Sequence, residues 1–307
     1  MAADSLVQKI NKLKQERDAV ILVHNYQPDE VQDIADFRGD SLGLSLEASR
    51  TKAQAIVFCG VHFMAETAAI ISPDKKVIMP DANAGCPMAD MIDAAGVRKL
   101  KKKYPKAKVV CYVNSSAEVK AESDICCTSA NSIKVCASLK DAKEIIFVPD
   151  KFLGHYTSTK VPDKKFILAQ GYCPTHARIL PEHVLAAKKQ HPQAKVMVHP
   201  ECRPETIALA DEVASTGGML KYARETSAKE FIVGTEVGMV YRLQQDSFGK
   251  KFYPLDDGAV CPNMKLTTLE KVLWSLEELK TEVRVAPETA AKAKLAIERM
   301  LAVGRND

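Results

Sequence analysis

The chain has 307 residues, 46% of them apolar and 27% charged, which excludes the disordered, collagen-like and disulfide-scaffold classes. Its formal charge of +4 is small and spread along the chain, so no nucleic-acid partner is expected. No apolar run approaches the roughly 18 residues of a membrane span, and the first ten residues lack the apolar core of a secretory signal, so a cytoplasmic protein is expected. Nine cysteines in a reducing compartment then point to metal binding or catalysis rather than to disulfides.

Taken in chain order, the elements begin with a charged amphipathic helix running to about Arg17. A first apolar run, Val20-Ile21-Leu22-Val23, ends in His24. Asp36 and Ser41 follow, then a helical segment 42–54 and a second run, Ile56-Val57-Phe58. A Lys-Lys pair precedes a third run, Val77-Ile78-Met79, which leads into Cys86-Pro87. The whole pattern then recurs. Val109-Val110-Cys111 ends in Tyr112, and Asp124, Ser129, helical segment 130–142, Ile145-Ile146-Phe147, Phe166-Ile167-Leu168 and Cys173-Pro174 follow. It recurs again from Val196-Met197-Val198 and His199 through Asp211, Thr216, helical segment 217–229, Phe231-Ile232-Val233 and Phe252-Tyr253 to Cys261-Pro262.

The strand-end residues, the aspartates, the Ser/Thr stations and the Cys-Pro cysteines are each 87 or 88 residues apart, and the apolar runs recur at nearly the same period. Length alone favours about two domains, but the repeat replaces that with three similar units. Short β-branched runs alternating with helical segments predict parallel sheets covered by helices. The expected fold is therefore α/β: three homologous three-layer αβα domains with parallel sheets around a pseudo-threefold axis. Their spans are 1–86, 87–173 and 174–261. The tail, 266–307, reads as two helices broken at Pro287 that pack on the first domain. Ser41, Ser129 and Thr216 stand where helix N-caps belong, and each proline after a cysteine suits a first helical position.

Ligands of parallel α/β sheets bind beyond the carboxyl ends of the strands. Cys86, Cys173 and Cys261 lie beyond such ends, as do His24, Tyr112 and His199. Three units facing one another bring all six to one pocket. Three thiols there make a metal site with an open position, as catalysis requires. Zinc and three corners of a [4Fe–4S] cluster both fit this donor set. Cys59, Cys111, Cys126, Cys127, Cys136 and Cys202 read instead as small buried hydrophobes, Cys202 being closest to the site.

The repeated stations also differ in an informative way. Two residues beyond His24, Tyr112 and His199 stand Tyr26, Asn114 and Glu201. Glu201, beside His199, is the candidate general base. Three helix N-termini aimed at one pocket would hold anions such as carboxylates or phosphates. No Gly-x-Gly-x-x-Gly follows a strand and no P-loop occurs, so no nucleotide cofactor is expected. A sensor would add a basic recognition helix and an electron carrier a fourth ligand, and the pattern shows neither.

The motifs His24-Asn25-Tyr26-Gln27, Gly39-Asp40-Ser41-Leu42, Gly85-Cys86-Pro87-Met88-Ala89, Tyr112-Val113-Asn114-Ser115, Cys126-Cys127-Thr128-Ser129-Ala130-Asn131, His199-Pro200-Glu201-Cys202, Ser215-Thr216-Gly217-Gly218-Met219 and Cys261-Pro262-Asn263-Met264 together resemble the quinolinate synthase family over essentially the whole chain. That resemblance implies one [4Fe–4S] cluster per chain, held by Cys86, Cys173 and Cys261 with the fourth iron open. It implies condensation of iminoaspartate with dihydroxyacetone phosphate to quinolinate, phosphate and water, in NAD biosynthesis. An aspartate-oxidising enzyme is the implied source of iminoaspartate. Substrate-binding positions carried over are His24, Ser41, Met64, Tyr112, Asn114, Ser129, His199, Glu201 and Thr216; catalytic ones are Glu201, His199, Tyr26 and Tyr112. Longer members carry a Cys-x-x-Cys-x-x-Cys stretch near the C-terminus. No cysteine follows Cys261 here, so no redox switch of that kind is carried over.

Overall fold

The structure, a computed structural model, describes residues 2–305. It contains three four-stranded parallel sheets. The first is built from β1 (Ala19–His24), β2 (Phe37–Gly39), β3 (Ala55–Cys59) and β4 (Lys76–Ile78). The second holds β5 (Lys108–Tyr112), β6 (Ile125–Cys127), β7 (Glu144–Val148) and β8 (Lys165–Leu168). The third holds β9 (Lys195–Val198), β10 (Glu212–Val213), β11 (Glu230–Gly234) and β12 (Lys251–Pro254). Strand order is the same in each: β2-β1-β3-β4, β6-β5-β7-β8 and β10-β9-β11-β12. The expected α/β class with three αβα units and parallel sheets is the observed one.

All nine apolar runs form strands. The central pairs β1/β3, β5/β7 and β9/β11 are buried along most of their length, because helices cover both faces. The edge strands β2, β6 and β10 escape sequence reading. At three, three and two residues they are too short to carry a periodic signal.

The repeated aspartates stitch each unit together. Asp36, Asp124 and Asp211 each accept the backbone N–H of a first-strand residue, Ile21, Val109 and Val196, at 2.8 Å. Each is also met by a lysine: Lys14, Lys108 and Lys195. The carboxylate thus fastens the loop ahead of the edge strand to the central strand.

The helix caps differ from expectation. Ser41 and Thr216 are the first residues of helices Ser41–Arg50 and Thr216–Glu225, and the caps are the residues before them. Asp40 accepts from Gly43 N–H and Ser215 from Gly218 N–H. Ser129 precedes helix Ser132–Ser138, whose cap position is Asn131. The neighbouring side chain does the capping in two units, so the Ser41 and Thr216 hydroxyls are not used up as caps. Pro174 and Pro262 do occupy first helical positions, whereas Pro87 precedes its short 3₁₀ turn by two residues.

Of the tail, helix Leu269–Glu278 packs on the N-terminal helix Ala2–Glu16 and on β3, burying Val272 and Leu276 against Ile10. Helix Pro287–Val303 begins at Pro287. It lies across helix Ala117–Ala121 and β6 of the second unit and helix His62–Ile71 of the first. Among the described residues no helix is long and apolar enough to cross a membrane.

Replacing Asp124 with Ala removes a charged acceptor from a half-buried N–H and should cost about 1–2 kcal/mol. The urea midpoint should fall accordingly while turnover per folded chain is kept; an unchanged midpoint would remove the stitch from the account.

Candidate active site

The three units meet at a cavity of about 160 Å³. That is smaller than the roughly 300–1,000 Å³ of drug-sized pockets and suits small metabolites. Its wall contains Cys86, Cys173 and Cys261 and, around them, His24, Tyr26, Ser41, Met64, Tyr112, Asn114, Ser129, His199, Glu201 and Thr216. Every site residue expected from sequence therefore lines one cavity. The remaining six cysteines are buried, unpaired and outside this wall.

The strand ends place these side chains. His24 and Tyr112 terminate β1 and β5, and His199 follows β9. His24 Nδ1 accepts the Tyr26 backbone N–H at 3.2 Å, and His199 Nδ1 accepts that of Glu201 at 3.3 Å. Both turns thus favour the tautomer with the proton on Nε2. His199 Nε2 faces Ser129 Oγ at 3.2 Å. Burial pushes the His24 imidazole down to about 4, against a smaller upward pull from Asp40. Burial also lowers His199, despite Glu201 beside it. The His24 ring is neutral near pH 7.

Glu201 is 3% exposed. Burial would drive its carboxyl up, but His176 and then His199 outweigh that and hold it well below the ordinary carboxylate range. His176 is the closer, with Nδ1 at 2.8 Å from Oε2; His199 Nδ1 lies at 3.4 Å. Asn114 Nδ2 donates to Oε1 at 3.4 Å. The Asn114 Oδ1 atom is buried and has no partner among the described residues, an acceptor left for a bound donor.

Sequence reasoning missed His176. Its Nε2 lies 2.8 Å from Thr235 Oγ1, which in turn lies 2.6 Å from the Tyr26 hydroxyl. A hydrogen-bonded path therefore runs from Tyr26 through Thr235 and His176 to Glu201. Burial first, and Glu201 next, push the Tyr26 and Tyr112 phenols well up, so both stay protonated. The signal for His176 was present: three residues after the Cys-Pro cysteines stand Ala89, His176 and Met264, and only one is polar.

Glu236 was missed too. It is wholly buried and lines the cavity. Its Oε1 accepts the Cys261 N–H at 3.2 Å, its Oε2 accepts the Gly238 N–H at 2.8 Å, and Lys265 Nζ lies 3.0 Å away. It anchors the backbone that carries Cys261.

The three cysteines suit a thiolate-bound group. Cys173 and Cys261 stand at the residue just before the turns that follow them. Nearby backbone N–H groups favour each thiolate: Ala89 and Met88 at Cys86, His176 at Cys173, Met264 and Asn263 at Cys261. Burial pushes all three thiols up, Cys86 to about 12; Glu201 and then a second site thiol add to this at Cys86 and Cys173, and Glu236 adds to it at Cys261. Holding such a trio ionised requires a bound cation. A second donor set overlaps it: Cys173, His176 and Glu201 offer a sulfur, a ring nitrogen and an oxygen within 4.8 Å of one another.

Comparison with known proteins follows this geometry. The family described as Quinolinate synthetase A protein matches residues 8–302. A quinolinate synthase of Dehalococcoides mccartyi is 56% identical over 303 residues, covering 99% of this chain and all of that protein. One from Methanosarcina barkeri is 55% identical over 303 residues, 99% of each chain. One from Geobacter is 52% identical over 306 residues, the full length of both.

Because His24 is neutral when folded and titrates near 6.5 when unfolded, the unfolded chain takes up more protons between about pH 6.5 and 4. Stability should fall on acidification through that window, and less steeply in His24→Gln. Denaturant midpoints measured from pH 7.5 to 4.5 check this; identical slopes would contradict a neutral buried His24.

Proposed function

The chain belongs to the quinolinate synthetase A family, and from that premise we propose that it forms quinolinate for NAD biosynthesis by condensing iminoaspartate with dihydroxyacetone phosphate, releasing phosphate and water. The observation that carries the reading is the cavity itself. It joins three cysteines, a buried carboxylate with a hydrogen-bonded path to a phenol, and hydroxyls from three units.

In this reading Cys86, Cys173 and Cys261 hold a [4Fe–4S] cluster. When bound, the cluster supplies a Lewis-acidic iron next to the substrate. The protein's own groups do the rest. Both substrates are anionic. Ser41 and Thr216, at the first turns of two helices, offer hydroxyls backed by the positive end of the helix dipole. Ser129 adds a third hydroxyl, oriented by His199. Thr216 Oγ1 accepts from Asn25 Nδ2 at 2.9 Å, which leaves its own proton to donate.

The condensation needs protons removed from carbon and delivered to leaving oxygens. Glu201 is the base: ionised, almost dry and within reach of His176. A proton taken by Glu201 can pass to His176 and on through Thr235 to Tyr26. The Tyr26 and Tyr112 phenols, kept protonated by burial, are the acids in the wall. Met64 and the apolar remainder of the wall exclude water, which protects an imine from hydrolysis.

Zinc on Cys173, His176 and Glu201 is the second reading, favoured by the proximity of those three atoms. It leaves Cys86 and Cys261 without a role and takes the base out of service.

Glu201→Gln should keep the iron complement and lose turnover by about 10²–10⁴-fold. An anaerobic assay following quinolinate from both substrates checks this. Near wild-type turnover would remove Glu201 as the base, and no quinolinate from the wild-type protein would remove the activity.

A further inference from the structure

The last described residue, Arg305, lies where all three units meet. It follows helix Pro287–Val303 and Gly304, whose φ of +73° turns the chain back. Its guanidinium grips Asp40 of the first unit with two prongs, Nη1 to Oδ1 at 3.1 Å and Nη2 to Oδ2 at 2.7 Å. Its carbonyl oxygen accepts from Lys134 Nζ of the second unit at 3.3 Å. In the third unit it lies across the start of helix Thr216–Glu225. A Cβ on Gly217 would clash with Nη2 and come within 2.8 Å of Asp40 Oδ2. Gly217 is thus the residue that leaves room for the guanidinium.

Asp40 is a part of the cavity wall and only 7% exposed. It caps the helix that begins with Ser41. A carboxylate here without its partner would set negative charge beside the hydroxyls that the reading above assigns to anionic substrates. Like charges this close in a partly dry site repel strongly. The other buried acid of the wall outside the proton path, Glu236, is matched in the same manner by Lys265.

We propose that Arg305 is a positioning residue for anion binding: it cancels the charge of Asp40 and fixes the first turn of helix Ser41–Arg50 against the third unit. It acts through Asp40 and takes no part in proton transfer. The inference rests on the functional reading above, because it needs an anion at this end of the cavity.

The test measures binding of quinolinate by calorimetry, and KM and kcat for quinolinate formation, on anaerobically purified holoenzyme. Arg305→Met should weaken quinolinate binding and raise KM by about tenfold, with kcat changed much less and the iron content unaltered. Arg305→Lys should recover part of the loss, since it returns the charge without the fork. Gly217→Ala should copy Arg305→Met by displacing the guanidinium, and adding it to Arg305→Met should cost nothing further. The decisive variant is Asp40→Asn on the Arg305→Met background. Asparagine still caps the helix but carries no charge, so binding should improve over Arg305→Met alone. If Arg305→Met binds quinolinate as wild type does, or if Asp40→Asn fails to improve it, the inference is overturned while the functional reading stands. If wild-type protein neither forms nor binds quinolinate, both fall together.

Discussion

Burying the Glu201 carboxylate is the constraint around which this cavity is organised. A lone ionised carboxylate out of water costs several kcal/mol, so it persists only where partners surround it. Here those partners come from different parts of the chain. His176 arrives from the turn after Cys173, His199 from the end of β9, and Asn114 from beyond β5. His176 is in turn set by Thr235 and, through it, by Tyr26 of the first unit. Keeping one charge dry therefore fixes the mutual placement of all three units. The same placement brings three cysteines to one wall.

Repetition supplies the scaffold and asymmetry supplies the chemistry. Three sheets of one strand order put equivalent stations on the cavity. A strictly threefold wall would offer three identical groups to a ligand. This wall offers Tyr26, Asn114 and Glu201 at one station, and His176 and Met264 from two units at another, where the first unit carries Ala89. The aspartates that stitch the strands are alike in all three units and structural, while the repeated cysteines supply one common donor type to the cavity. Where the units diverged, the side chains that face the cavity differ in charge and proton affinity.

Much of this was legible before any coordinates. Nine apolar runs and three Cys-Pro stations recurring about every 88 residues located the long strands, the parallel sheets and the residues of the wall. The edge strands were not legible, because two or three residues cannot show alternation. The cap positions were misplaced by one residue at Ser41 and Thr216: a repeated hydroxyl looks like a cap, yet Asp40 and Ser215 take that role. His176 was legible by the argument that found Glu201 but lay at a station where the other two units carry apolar residues. Glu236 was hidden for a geometric reason. By strand register its counterparts are Val61 and Asp150, spaced 89 and 86 residues, so it falls off the 87–88 period. Arg305 has no repeat counterpart. It lies in the tail, and only folding brings it to Asp40.

The claim on which the rest depends is that cysteines from three units bind one cluster. Iron and acid-labile sulfide should be counted in protein purified without oxygen, for wild type and Cys86→Ser. The account predicts about four of each per chain in wild type and loss of both in the variant. Zinc in both proteins, kept by Cys86→Ser, would place the metal on Cys173, His176 and Glu201 instead and contradict the account.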